Sequence, residues 1–120
     1  MTEKAMLDPQ MIENLRAISP DDGGALIREL VGLFLQETPP RITDIETGFA
    51  KGDAPCLARA AHSIKGSASN FGASELSGLC AEIERNGRTG NLAAIPPLLA
   101  RLQPEYARTK AALEALVGGS

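Results

Sequence analysis

The chain has 120 residues, a length that supports one domain with a single hydrophobic core. Its composition, 43% hydrophobic but only 3% aromatic, favours packed helices over strands. The formal net charge of -3 provides no overall basic field, so nucleic-acid binding is not expected.

The first half of the chain predicts three helical segments separated by short breaks. Asp8-Pro9 is a cap followed by a proline, which predicts the start of a short leading helix. Residues 19–24 break the chain, and a broad apolar face follows over residues 26–38. The run Thr38-Pro39-Pro40 again combines a cap with prolines, so we expect a separate helix from there to Lys51-Gly52.

The second half of the chain predicts three further helices. Asp53 caps a helix that should end at Gly72, where glycine is a common C-terminal stop. Ser74 begins the next helix, and Asn86-Gly87 is expected to end it. Asn91 caps the last helix, a long one whose start should be distorted by the prolines that follow its first turn.

These patterns predict an all-α fold, an antiparallel up-down-up-down four-helix bundle with a short extra N-terminal helix. We expect residues 1–120 to form a single domain, ordered from about residue 8 to about residue 117 with frayed ends. Cys56 and Cys80 are expected to be reduced, with Cys80 in the core. The N-terminus lacks the apolar stretch of a signal peptide, so a cytoplasmic domain is expected, although attachment through a longer parent chain stays open.

His62, the only histidine, is predicted to face solvent. At about 100° per residue, the apolar side chains around it fall within about 40° of one line, and His62 lies about 140° away. The neighbours that share its face are small and the flanking charges are positive: Ala58, Gly66 and Ser69, with Arg59 and Lys65. Such an imidazole is open to close approach by another protein and suggests a phosphate acceptor.

The usual interpretation of a lone histidine on a helix is a surface residue without a role, and the neighbours argue against it here. Gly66 sits in mid-helix, where glycine costs about 1 kcal/mol relative to alanine, and close approach of a partner would explain it. Lys65, one turn from His62, could neutralise phosphoryl oxygens. Ser69 shares the same face and could donate to a phosphoryl group, whereas Arg59 would adjust the charge at the rim.

Metal binding and autonomous catalysis are not expected at His62. A second helical ligand would lie three or four residues away, and those positions hold Ala58, Arg59, Lys65 and Gly66. No carboxylate or cysteine is placed to act with the histidine, and no glycine-rich loop follows a strand to hold a nucleotide. We therefore expect a phosphoryl carrier that is not an enzyme, has no ATP site and needs no cofactor or metal of its own.

Residues 62–73 read His-Ser-Ile-Lys-Gly-Ser-Ala-Ser-Asn-Phe-Gly-Ala. This segment resembles the phosphorylation motif of histidine-containing phosphotransfer (HPt) domains, in which histidine, then lysine and glycine three and four residues on, then a hydrophobic residue and glycine recur in that order. Further similarity extends over nearly the whole chain, in segments 7–9, 22–24, 38–41, 51–53 and 79–84.

The resemblance implies a monomeric four-helix bundle that carries phosphate between receiver domains in bacterial two-component phosphorelays. His62 would be phosphorylated, on Nε2, with Lys65 as an electrostatic assistant and Gly66 as the notch that admits the receiver's active-site loops. The partners would be receiver domains of response regulators or of a hybrid sensor histidine kinase, which supply the aspartate and Mg²⁺. No nucleic acid and no direct membrane contact are implied.

Two other functions stay open. Phosphoacceptor domains of chemotaxis histidine kinases carry a similar segment, usually with a second glycine where this chain has Ser67, and the kinase's own ATP domain phosphorylates them. Alternatively, the chain is a helical docking module that binds its partner without phosphate. Incubation with a phosphorylated receiver or a small phosphodonor would separate a phosphoryl carrier, which gains one phosphoryl group, from a docking module, which gains none.

Overall fold

A computed structural model describes residues 7–18, 21 and 23–118, which form five α-helices, one 3₁₀ turn and no strand. The helices are α1 (Pro9–Ile18), α2 (Ala25–Lys51), α3 (Ala54–Asn70), α4 (Ser74–Arg88) and α5 (Ile95–Gly118), with the 3₁₀ turn Leu92–Ala94 before α5. Helix α3 packs against α2 and α4, and α5 closes the ring by packing against α4 and α2, while α1 lies on α2. The predicted four-helix bundle with a short N-terminal helix is confirmed.

Parts of three predicted segments lie outside the described residues: positions 1–6 and 119–120 of the expected frayed ends, and positions 19, 20 and 22 of the first break. Within the described part of the chain, no helix is both long enough and apolar enough to cross a membrane.

The predicted helix boundary at residues 38–40 is wrong, because α2 continues through Pro39 and Pro40. A proline inside a helix costs about 3 kcal/mol, whereas each fully buried aliphatic or aromatic side chain contributes about 1.5–3 kcal/mol. One continuous buried stripe on both sides of the prolines offsets their cost. It comprises Ile27, Val31, Phe34, Thr38, Ile42, Ile45 and Gly48. The carbonyl of Leu35, which has no N–H donor at Pro39, accepts a hydrogen bond from Tyr106 Oη at 3.5 Å.

Helix α3 begins and ends as predicted, and its end also anchors α1. The Asp53 carboxylate accepts a hydrogen bond from the Cys56 amide at 3.2 Å, which caps the first turn. After the helix, Gly72 adopts a left-handed φ of 67°. Its carbonyl accepts from the Asp8 amide at 3.1 Å, and Asp8 caps α1. The start of α1 is therefore fixed to the turn that follows α3.

The predicted stop of α4 at residues 86–87 is wrong, because the helix continues past Gly87, which is buried. A Cβ at this position would lie 2.8 Å from Leu57 Cδ2 and 3.2 Å from Ala58 Cβ. Gly87 therefore allows close approach of α3 and α4 rather than ending the helix. The left-handed glycine after α4 is Gly90, with a φ of 74°.

The distorted start expected for the last helix is the 3₁₀ turn at residues 92–94. Pro96 and Pro97 lie in the first turn of α5, where a missing N–H is tolerated, so the regular helix begins at Ile95. Asn91 occupies the expected cap position, but its side chain donates to Asn86 Oδ1 at 3.3 Å and makes no capping hydrogen bond.

Aromatic side chains join the helices in the core. The Phe34 ring of α2 lies 5.6 Å from that of Phe71, after α3, and 6.1 Å from that of Tyr106 on α5, measured between centroids. Cys80 of α4 is a buried free thiol, as predicted, and burial raises its pKa to about 12. Cys56 is free and half-buried.

The close approach at Gly87 predicts opposite effects for two alanine substitutions in α4. We expect Gly87→Ala to lower the free energy of unfolding by about 1–3 kcal/mol, because the new methyl overpacks the contact with Leu57 and Ala58. Gly78→Ala, at an exposed position where a Cβ meets nothing within 4 Å, should raise it by up to about 1 kcal/mol. Denaturant titrations measure both values, and two changes of the same sign would contradict the packing.

Candidate functional site

His62 lies in the middle of α3 with its side chain in solvent. The imidazole is 60% exposed, whereas Leu57 and Ile64 of the same helix are fully buried. The difference follows from the helical period, which turns the apolar residues toward α2 and α4 and His62 away from the core. The predicted orientation of His62 is confirmed.

The imidazole contacts a carboxylate of the neighbouring helix. His62 Nδ1 lies 3.0 Å from Oε2 of Glu84 on α4, whose side chain is only 8% exposed. An ionised carboxylate can only accept a hydrogen bond, so Nδ1 carries the proton and donates it. The proton-free nitrogen of the neutral ring is then Nε2, at the edge opposite the carboxylate.

Glu84 also binds two cationic side chains. Lys65 Nζ of α3 donates to Oε1 at 2.6 Å, and Arg88, one turn further along α4, donates to Oε2 through Nε at 2.9 Å and Nη2 at 2.5 Å. We call these four residues, His62, Lys65, Glu84 and Arg88, the Glu84 cluster. It connects the two helices with one buried negative charge and two fixed positive ones.

The cluster keeps Glu84 ionised. Burial alone would raise the pKa of this carboxyl group, but hydrogen bonds from Lys65, Arg88 and His62 outweigh burial and lower the pKa from 4.5 to about 2. At neutral pH the group is therefore a carboxylate, as the hydrogen bond from Nδ1 requires.

The expectation that no carboxylate acts with His62 is wrong. The position of Glu84 in α4 contained a signal for it, since Glu84 follows Leu76 and Cys80 at steps of eight and four residues on the buried stripe. A glutamate on such a stripe is almost never buried without a partner. Sequence spacing could predict that Glu84 needs a cation but not which one, because the partners lie on another helix.

Three of the remaining predicted site residues lie where the sequence placed them. Gly66 is exposed, and a Cβ there would meet nothing within 4 Å, so the surface one turn after His62 is open. Arg59 is also exposed, one turn before His62. Lys65 is close to the imidazole, but the structure holds its ammonium group on Glu84.

One predicted surface position needs correction, and at another the exposed hydroxyl is already hydrogen-bonded within the protein. Ala58 is buried, with 5% of its surface exposed, because Gly87 lets α4 close over it. Ser69 is exposed, but its hydroxyl is already engaged with α4, 2.8 Å from Ser77 Oγ, and donates to the Lys65 carbonyl at 2.8 Å. Ala58 is therefore not part of the open surface around His62, and the proton of the Ser69 hydroxyl is already donated to the Lys65 carbonyl.

Comparisons with known proteins agree with this geometry. A family model described as the Hpt domain matches residues 29–117. The sensor protein TorS of Escherichia coli (strain K12) is 36% identical over 94 residues, which cover 78% of this chain. The chain spans only 9% of the length of that sensor. The crystal structure of histidine-containing phosphotransfer protein B (HptB) from Pseudomonas aeruginosa PAO1 is similar with a TM-score of 0.82 and 28% identity, covering 93% of this chain and 94% of that one.

The lowered pKa of Glu84 predicts a specific pH dependence of stability. Above about pH 4.5 the carboxylate is ionised in both the folded and the unfolded chain, and its contribution to stability is complete. Between pH 4.5 and about 2 the unfolded chain takes up the proton first, so the contribution is lost as the pH falls. We expect the difference in unfolding free energy between the wild type and Glu84→Gln to shrink over this range.

Denaturant titrations at a series of pH values measure that difference. Glu82→Gln is the matched control, because Glu82 is exposed on the same helix and lies outside the Glu84 cluster. A difference between wild type and Glu84→Gln that stays constant down to pH 2 would contradict the assignment.

Proposed function

Because the chain belongs to the Hpt domain family, whose members are phosphocarriers of phosphorelays, we propose that it carries its phosphoryl group on His62. The observation that best supports this proposal is the hydrogen bond from Nδ1 to Glu84, which leaves Nε2 as the nucleophilic nitrogen of an exposed ring. The donors and acceptors are receiver domains, of response regulators or of a hybrid sensor kinase.

Transfer under this proposal needs no proton movement at the attacking atom. The lone pair of His62 Nε2 attacks the phosphorus of a receiver aspartyl phosphate; the N–P bond forms, the P–O bond to the aspartate breaks, and the aspartate leaves as a carboxylate. The proton on Nδ1 remains, so the ring becomes positively charged. The Glu84 carboxylate, 3.0 Å from Nδ1, stabilises that charge and orients the ring. The reverse step returns the phosphoryl group to a receiver.

This chain and the receiver domain contribute different groups to the transfer. The chain contributes the nucleophile, its orientation and nearby positive charge, and the receiver contributes the aspartate and Mg²⁺. In this role the chain is a carrier that needs no ATP site and no cofactor of its own. We further propose that residues 8–117 form one domain that acts as a monomer.

The receiver is proposed to cover the exposed face of α3 from His62 across Gly66. Helical geometry places Asn70 one turn beyond Gly66 on this face. Asn70 in turn borders a groove between α2 and α3 whose lining includes Phe34 and the exposed side chain of Leu33. An open polar surface beside partly apolar side chains is suited to a protein partner.

Removal of the imidazole should abolish phosphorylation without unfolding the bundle. We expect wild-type protein incubated with phosphoramidate to gain one phosphoryl group by intact mass, and His62→Gln to gain none, because Gln lacks a nucleophilic nitrogen. Circular dichroism and thermal melting should show a folded variant, since the side chain is 60% exposed.

The wild-type label should also be lost in acid and kept in base, as a phosphoramidate bond requires. A wild-type protein that takes no label would favour the docking-module alternative. An acid-labile label on His62→Gln would place the acceptor at another residue.

A large side chain at Gly66 should obstruct the receiver more than a small donor. We expect Gly66→Gln to fold, because the position is open, and to reduce transfer from a phosphorylated receiver domain at least tenfold more than labelling by phosphoramidate, which corresponds to about 1.4 kcal/mol. Gly78→Gln is the matched control, an equally open helical glycine about 120° around α4 from Glu84.

The measurement is the rate at which each variant takes the phosphoryl group from a phosphorylated receiver domain. Radiolabel or intact mass detects the transferred group. An equal loss with both donors would mean that the substitution disturbs His62 itself. Unfolding of the variant would mean that Gly66 serves helix packing.

A further inference from the structure

Arg88 is bound to Glu84 in a crowded arrangement. An arginine normally donates to both oxygens of a carboxylate, but here both of its donors contact Oε2, because Lys65 occupies Oε1. His62 Nδ1 donates to the same Oε2, so three N–H groups converge on an oxygen with two lone pairs. Glu84 Oε2 therefore cannot accept full hydrogen bonds from both Arg88 donors and from His62 Nδ1 at the same time.

Phosphorylation of His62 changes the competition for this oxygen. The phosphorylated ring is positively charged, so its Nδ1–H binds Oε2 more strongly than the neutral ring does. At the same time, a phosphoryl group with about two negative charges and three acceptor oxygens appears at the opposite edge of the ring. Arg88 therefore competes less well for Oε2, while a second anion with more charge and more acceptor oxygens forms at the other edge of the imidazole.

Arg88 is the member of the Glu84 cluster whose side chain can move toward the phosphoryl group at the lowest cost in free energy. Its side chain is 64% exposed and long, whereas that of Lys65 is half as exposed at 33%, and Glu84 is held in the interface between the helices. A guanidinium group also matches the geometry of phosphate oxygens and can donate two hydrogen bonds to them. In the unphosphorylated protein the Arg88 guanidinium and the His62 imidazole contact the same oxygen, Glu84 Oε2.

We propose that Arg88 leaves Glu84 when His62 is phosphorylated and binds the phosphoryl oxygens, so that a cation from α4 holds the phosphoryl group of the domain. This inference rests on the proposed function of His62. Glu84 then keeps the hydrogen bond from Nδ1. In the unphosphorylated state Glu84 holds the Arg88 guanidinium near the imidazole that accepts the phosphoryl group.

Two measurements on phosphoramidate-labelled protein test the proposal. In the first, ³¹P NMR follows the second ionisation of the phosphoryl group in the wild type, Arg88→Ala, Arg88→Lys and the control Arg85→Ala. A bound cation lowers that pKa, so we expect Arg88→Ala to raise it by about 0.2–0.7 units, Arg88→Lys to restore part of the change, and Arg85→Ala to leave it near the wild-type value. Arg85 is exposed on the same helix and lies outside the Glu84 cluster.

In the second, ¹H–¹⁵N spectra of the wild type follow the Arg88 Nε–H resonance, identified by its absence in Arg88→Lys. We expect it to shift on phosphorylation as the hydrogen-bond acceptor changes from carboxylate to phosphoryl oxygen. This measurement needs no variant to be labelled, so it remains decisive if Arg88→Ala proves unstable.

The outcomes separate this proposal from the function on which it rests. A wild type that takes no label would remove the proposed function. A labelled wild type whose Arg88 resonance does not move, with a phosphoryl pKa unchanged in Arg88→Ala, would overturn the role of Arg88 alone. A raised pKa with an unmoved resonance would also overturn it, because Arg88 would then act only through Glu84.

Discussion

A single buried carboxylate organises the functional face of this bundle. Leaving a buried charge without its partner costs about 3–5 kcal/mol, so the fold must bring cations to Glu84. It does so from both helices, with Lys65 from α3 and Arg88 from α4, and the His62 imidazole of α3 adds a hydrogen bond. The hydrogen bonds that satisfy the Glu84 carboxylate also determine which nitrogen of the imidazole is protonated. They place two positive charges near the imidazole as well. The chemistry of His62 therefore depends on a residue 22 positions away in the sequence.

The reach of Glu84 depends in turn on how closely α3 and α4 pack. At one level Gly87 lies against Leu57 and Ala58, with no side chain to hold the helices apart. On the other side of His62, the hydroxyls of Ser69 and Ser77 meet at 2.8 Å. The imidazole contact lies between these two points of close approach. Small residues on both sides thus set the helix separation at which a glutamate can touch the ring.

Much of the architecture could be predicted from periodicity and caps, because these are properties of one helix at a time. The exposure of His62 and the burial of Cys80 follow from the 3.6-residue period. The break at Pro39-Pro40 was wrong because a local rule about proline yields to burial of a long apolar stripe. Which helix covers which face is a tertiary property that one helix alone does not reveal. For this reason the predictions at Ala58 and at Glu84 were wrong.

The hydrogen bond from Tyr106 to the Leu35 carbonyl has a practical consequence for spectroscopy. The chain has one tyrosine and no tryptophan, so its near-ultraviolet absorption and fluorescence come from Tyr106, with a weak contribution from three phenylalanines. That phenol sits between α2 and α5, and burial, together with the charge of Glu114, raises its pKa above 10. The Glu84 cluster lies between the other pair of helices, α3 and α4. Intrinsic emission therefore serves as a natural reporter of bundle integrity that is separate from events at the imidazole.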